Sequence, residues 1–474
     1  MERWTSNHWT DHRRRGTAFL GLWACLAAWA GAPAPFAPPK ADELVLYRRA
    51  TLIDGVQAGA RPGMAVLVAG ERILKVYPDA SAPTADVEKA RIVDLRNRYL
   101  IPGLIDTHVH LATPPNRRQA EAEMRRNLYG GVTAVRDMAD DLRVVSELAR
   151  ASRVGEIPGP DIYFAALMAG PGFFTDPRTV QTTAGGVAGQ EPWMQAVRDD
   201  TDLPLAVARA SGTSATAIKL YAALSPELTR RITAEAHRQH LRVWAHATLY
   251  PARPSEVVAA GVDAISHACL LVREAARYVP AWGEPRGAVD LDPIRGGNSP
   301  ALDRLFRTMA GRGVVLDATV AAYGATSLPP SSASAGSGSP STTHRGCDDA
   351  VGAAITGQAY RAGVPISAGT DFVAPASEPW PELFREMSVL AEMARMPPAA
   401  VLRSATVNAG HAAGRDEEMG TIEAGKLANM VVLSMNPLTS VEHLKSVVTT
   451  IKRGRAFQRD SFVPLQPEDI VDFD

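Results

Sequence analysis

Between Leu100 and about Arg415 the chain alternates short apolar, β-prone runs with amphipathic helical stretches, and this rhythm restricts the fold more than any other feature. The strand candidates stand in order as Gly103–His110, Val132–Met138, Asp161–Leu167, Ala215–Tyr221, Arg242–Ala247, Ala264–Ala268, Val314–Thr319 and Pro365–Asp371. The clearest helix between them covers Ser225–His240: Ser225 can cap it, Pro226 suits its first position and Glu227 its positive end. Eight strands with intervening helices are what a closed (β/α)8 barrel requires. A doubly wound open sheet is the other way to arrange such units, but no GxGxxG follows the first strand. The expected fold class is therefore α/β, with a (β/α)8 TIM barrel over residues 101–415.

The flanks read differently. From Glu43 to Asp94 short apolar runs are punctuated by Asp54-Gly55, Pro62-Gly63 and Ala69-Gly70, and β-like runs return at Leu427–Ser434 and Val447–Gly454. They predict a small composite β-sandwich domain formed by both chain ends, residues 42–100 and 416–465. Ahead of it, the basic His12-Arg13-Arg14-Arg15 precedes an uncharged run from Thr17 to Ala30 and a Pro-rich stretch from Gly31 to Pro39, the order of a secretory signal peptide. Residues 1–38 are assigned to it. The apolar run is shorter than the ~20 residues a membrane-spanning helix needs, so an uncleaved anchor is the weaker alternative to a periplasmic or secreted protein. Of three cysteines, Cys25 falls in the leader. Cys269 and Cys347 could pair in an oxidising compartment, but sequence leaves their geometry open.

Lys plus Arg number 50 and Asp plus Glu 51, a net charge of −1. That balance offers no basic excess for nucleic acid or an anionic membrane, so the expected partner is a small molecule and membrane contact is confined to the export signal. Homo-oligomer formation stays open. Two stretches break the barrel rhythm, the Gly/Pro/Thr-rich loop Gly170–Gly189 and the low-complexity run Ser327–Thr343. They follow strands three and seven on the face where barrel active sites form, as solvated insertions or as a cover for substrate.

Beyond the leader lie nine histidines, and four of them, His108, His110, His246 and His267, sit at or near the C-terminal ends of strand candidates. His108 and His110 are two apart, so a strand points both to one face. Asp371 ends the eighth strand at the same rim. Lys219 stands in the uncharged run Ala215–Tyr221. A lysine there either escapes to water or joins that rim, because an unpaired buried ammonium is costly. Tyr221 follows on the same face as Lys219 and is a candidate for substrate binding. His344, after the low-complexity run, is a second. Arg136 and Asp137 end strand two, either as a structural ion pair or as a guanidinium fork for a substrate carboxylate.

These segments carry a resemblance: Leu100-Ile101-Pro102-Gly103-Leu104-Ile105-Asp106-Thr107-His108-Val109-His110, Ile218-Lys219-Leu220-Tyr221, Val243-Trp244-Ala245-His246-Ala247, Ser266-His267-Ala268, Ala368-Gly369-Thr370-Asp371 and Gly420–Asn429. In that order they resemble the amidohydrolase superfamily, within it the imidazolonepropionase-like and prolidase-like metal-dependent hydrolases. Asn429 departs from the pattern, which commonly has Asp, at a place remote from the metal motifs. The resemblance implies two divalent metal ions, taken as Zn²⁺. His108, His110 and Asp371 would hold one, His246 and His267 the other, and Lys219 would bridge them as a carbamate formed with CO2. It further implies hydrolysis of an amide bond, in a dipeptide or N-acyl amino acid, by a metal-bridging hydroxide, with Asp371 as the catalytic proton carrier. The same centre could act on a lactam, ester or phosphoester. A catalytically silent binding protein is the reading from another class, and the intact ligand set argues against it.

Overall fold

A computed structural model describes residues 34–113, 115–325, 347–372, 374–375 and 377–464. Eight parallel strands form the barrel: Leu104–Val109, Val132–Asp137, Asp161–Ala169, Ala217–Leu220, Arg242–His246, Ala264–Ser266, Val315–Asp317 and Ile366–Ser367. Each falls inside its sequence candidate or overlaps most of it. Neighbours pair in sequence order from first to last. At the seam between the eighth and first strands, Thr107 N–H donates to Ala368 O at 3.1 Å and Asp371 N–H to His108 O at 2.9 Å. The seam is stapled by Asp106, which accepts from the backbone and hydroxyl of Thr370 at 3.1 and 2.9 Å.

The period-2 alternation of the strands explains both the core and the site. Ile105, Ala134, Ala165, Ala217, Trp244, Ala264 and Val315 fill the barrel interior. One step along, Lys219, His246, Ser266 and Asp317 come after Ala217, Trp244, Ala264 and Val315 on the same inward face, at the C-terminal end. The alternate residues, such as Ile218, Val243, Ile265 and Leu316, pack outward against the helices. The helix foreseen from Ser225 spans Pro226–Arg238, its cap made by Ser225, whose side chain accepts from Leu228 N–H. The stretch after strand three, expected as a loop, contains a 3-10 turn, Pro171–Thr175, and a short helix, Pro177–Thr182. Asp176 caps that helix and Pro177 opens it, the pair of signals that composition alone concealed.

Both chain ends build one mixed sheet outside the barrel. Its order is Arg455–Gln458, Val447–Lys452, Met430–Leu433, Tyr99–Pro102, Leu44–Leu52, Arg61–Ala69, Arg72–Pro78, with Arg91–Asp94 also pairing Leu44–Leu52. Val45, Tyr47 and Val66 face one core and Leu46, Ala65 and Leu67 another, so both faces of these strands are apolar. A buried ion cluster joins this sheet to the barrel: Lys452 and Arg453 reach Asp161, the first residue of strand three, at 3.1 and 2.9 Å. Phe36 stacks on Phe457, with ring centroids 6.3 Å apart, and its N–H donates to Gly155 O at 2.8 Å. Among the described residues no helix is long and apolar enough to cross a membrane.

Candidate metal centre

His108, His267 and Asp371 present ligand atoms that all lie within 4.8 Å of one another at the C-terminal mouth of the barrel. His108 Nε2 and His110 Nε2 stand 3.6 and 3.4 Å from Asp371 Oδ1, and His267 Nδ1 3.6 Å from Oδ2. The first strand has an irregular register between Asp106 and Val109, and such a break re-aims side chains. It lets His108 and His110 converge on one carboxylate. Gly369 makes room on the facing strand: a Cβ there would lie 2.7 Å from His108 Cβ and would overlap Asp317. His267 and Asp371 both hold left-handed backbone angles, φ 75° and 49°. Their N–H groups are pinned to Asp317 O and His108 O at 2.9 Å each, which holds the strained conformations in place.

Two carboxylates behind the histidines were not anticipated from sequence. Asp317 accepts from His108 Nδ1 at 2.7 Å, and Asp140 pairs with His110 Nδ1 at 2.8 Å. Fixing Nδ1 in this way turns each Nε2 toward Asp371, the arrangement found behind metal-binding imidazoles. Asp317 also accepts from Thr107 Oγ1 and Ser266 Oγ at 2.8 Å and lies 3.0 Å from the Arg136 guanidinium. Arg136 thus pairs with Asp317 and stacks 4.5 Å over Trp244 rather than pairing with Asp137. An acid in the apolar run Val314–Thr319 was the available signal for Asp317, of the same kind that singled out Lys219.

Lys219 is 1% exposed, and its Nζ donates to Ser266 Oγ at 3.4 Å with no carboxylate within 4.0 Å among the described residues. Burial pushes its pKa down to about 7. His246 meets His267 edge-on, ring centroids 4.6 Å apart, but stands apart from the tight group of three. Burial lowers the pKa of His108, His246 and His267, leaving them neutral. Burial opposes ionisation of Asp371, but the surrounding imidazoles outweigh it and hold its carboxyl well below the usual range. Burial would depress His110 too, yet Asp140 and Asp371 raise it. The carboxylates therefore call for positive charge at this point, and imidazoles beside an ionised carboxylate are the donor types a divalent cation takes. Tyr221 lies against His246, ring centroids 3.9 Å apart. His344 and the run 327–343 fall outside the described residues.

Residues 99–457 match the model of the Amidohydrolase family. The chain belongs to the amidohydrolase family. Curated relatives share shorter stretches. An imidazolonepropionase of Shouchella clausii is 35% identical over 97 residues, 20% of this chain and 22% of that one. An allantoinase of Streptomyces avermitilis is 42% identical over 84 residues, 17% and 18% of the two chains. The matched part thus spans about a fifth of the length of these relatives. Solved amidohydrolase-like structures agree over nearly the whole fold. A Xaa-Pro dipeptidase with bound methionine superposes at TM-score 0.67 with 20% identity, covering 88% of this chain and 100% of its own. The A. niger ochratoxinase gives 0.68 and 20%, covering 89% and 97%. A putative prolidase from Bifidobacterium longum gives 0.64 and 24%, covering 90% and 97%. At these identities the amidohydrolase likeness establishes the architecture, a barrel with a second sheet.

Proposed function

We propose that this amidohydrolase is a binuclear metal-dependent hydrolase of amide bonds in dipeptides or N-acyl amino acids, working in the periplasm or outside the cell. The single observation that carries the reading is the buried Lys219 amine, which has no carboxylate within 4.0 Å among the described residues and lies beside a converging set of imidazoles and a carboxylate. With a pKa near 7, much of it is the free amine at neutral pH, the form that attacks CO2 and loses a proton to give a carbamate. Carbamylation converts a costly buried cation into an anionic oxygen donor. His108, His110 and Asp371 would hold one zinc ion and His246 and His267 the other, with the Lys219 carbamate between them. When bound, such ions act as Lewis acids and bring the pKa of water from 15.7 to about 7.

The chain's own groups would handle orientation and protons. Asp317 and Asp140 fix the tautomers of His108 and His110. Asp371, ionised at neutral pH, would accept a proton from the attacking water and deliver it to the leaving amine nitrogen. Stretches shared with imidazolonepropionases favour a second reading, a cyclic amide as substrate. The test is one purified sample assayed for metal content and for turnover of Xaa-Pro and Xaa-Arg dipeptides, N-acyl amino acids, lactams and aryl esters. About two equivalents of metal and turnover confined to linear amides are expected. Full activity after chelation, with under about one equivalent of metal, overturns the proposal, since the chemistry needs the ions.

Export is supported by the Cys269–Cys347 disulfide, Cα atoms 5.8 Å apart, a bond that persists in oxidising compartments. A cut ahead of Phe36, short of the boundary at residue 38 expected from sequence, would keep its contacts with Gly155 and Phe457 in the mature protein.

A further inference from the structure

One side of the barrel mouth is lined by aromatic rings in unbroken contact, starting at the candidate centre. The His246 ring meets Tyr221 at 3.9 Å, Tyr221 stacks on Phe173 at 4.3 Å, and Phe173 meets Trp282 edge-on at 5.5 Å. Trp282 in turn lies 6.0 Å from Tyr250. Strand three's following segment supplies Phe173, strand four's Tyr221, strand five's Tyr250 and strand six's Trp282. Four separate connections thus each bring one ring to one place beyond the strand ends, with Phe173 rooted in the main core and Tyr221 and Trp282 packed against it. Around His110 the centre is polar instead, with Asp140 and the Thr113 hydroxyl, which donates to Asp140 at 2.6 Å.

We infer that Phe173, Tyr221 and Trp282 form the side-chain subsite for this enzyme's substrate, and that favoured substrates carry an aromatic ring next to the scissile amide. The inference rests on the amide-hydrolase reading and narrows it. A group attached to an amide held at His246 is one ring's width from Tyr221, so the wall begins where the substituent must leave the scissile bond. Phe173 is 3% exposed and forms a fixed floor, while Tyr221 and Trp282 are half-buried and keep part of their surface open to the mouth. Stacked and edge-on arrangements both occur along the wall, the two geometries in which a further ring gains most. Arg286 lies 4.1 Å over Tyr250 and 5.4 Å from Trp282, holding the outer rings in register. Apolar pockets discriminate by about 10–200-fold per group, which sets the expected effect.

The experiment compares kcat/KM of the metal-loaded enzyme on three pairs: Phe-Gly with Ala-Gly, Gly-Phe with Gly-Ala, and N-acetyl-phenylalanine with N-acetyl-alanine. At least one pair should favour the aromatic member about tenfold or more. Trp282→Ala and Phe173→Leu should bring that ratio below about threefold, through KM. A second measurement needs no turnover: N-acetyl-phenylalanine should quench tryptophan fluorescence, N-acetyl-alanine should not, and Trp282→Phe should abolish the response. Equal hydrolysis of both members in all three pairs, without quenching, overturns the subsite and leaves the amide-hydrolase reading standing. Absent hydrolysis with quenching that depends on Trp282 keeps the subsite and overturns the reaction assigned to it.

Discussion

Asp317 has no freedom of its own: His108, Thr107, Ser266 and Arg136 all converge on its carboxylate in a site of 0% exposure. Asp317→Asn keeps the shape but removes the charge that Arg136 and the His108 tautomer depend on. Breaking one partner of a buried ion pair costs about 3–5 kcal/mol, so urea denaturation should show a loss of that order. Loss of such a partner behind a ligating histidine lowers metal affinity about 10–100-fold, which a chelator competition would read directly. Lys219→Ala should abolish turnover, and added acetate or propionate should restore part of it by placing a carboxylate where the carbamate would stand. Unchanged turnover in that variant would rule out the carbamate. These two residues were unequally legible. Lys219 stood out as a lone charge in an apolar strand, whereas Asp317 needed the three-dimensional neighbourhood of His108, about two hundred positions earlier, to acquire a meaning.

At the level of elements, periodicity and capping carried the reading a long way. Ser225-Pro226-Glu227 announced a helix start, and the eight strand candidates reappear in order because each is a short apolar run bounded by turns. The register break in strand one was not legible, since a bulge is set by what the facing strands demand. Nor was the joint between the two sheets, where Asp161 on the barrel meets Lys452 and Arg453 on the other sheet. Burial alone would raise the Asp161 pKa, but Lys452 and Arg453 outweigh it and hold the carboxyl below its usual value. A depressed folded-state pKa contributes stability that is present above the unfolded value, near 3.9, and is lost as pH falls through the folded one. The urea midpoint should therefore fall on acidification below about pH 4, and Asp161→Asn should flatten that part of the profile while lowering stability at pH 6.

Across the whole molecule, the bond from Cys269 to Cys347, 78 residues on, ties the start of the segment after strand six to the residues just ahead of the helix Asp349–Arg361. Closing a loop of that size is worth on the order of 4 kcal/mol in the chain-entropy account. The double variant Cys269→Ser, Cys347→Ser should lose about 2–4 kcal/mol in urea titration, with reduction of the parent protein giving a similar loss. The same scale governs how the polypeptide can be made. Strand Tyr99–Pro102 obtains its outer neighbour, Met430–Leu433, only from the far end of the chain, and Val447–Lys452 and Arg455–Gln458 complete the sheet after that. A nascent chain emerging in order has an open sheet edge until some three hundred further residues have appeared. Synthesis thus leaves this sheet incomplete for most of its duration, and the last strands to arrive act as its latch.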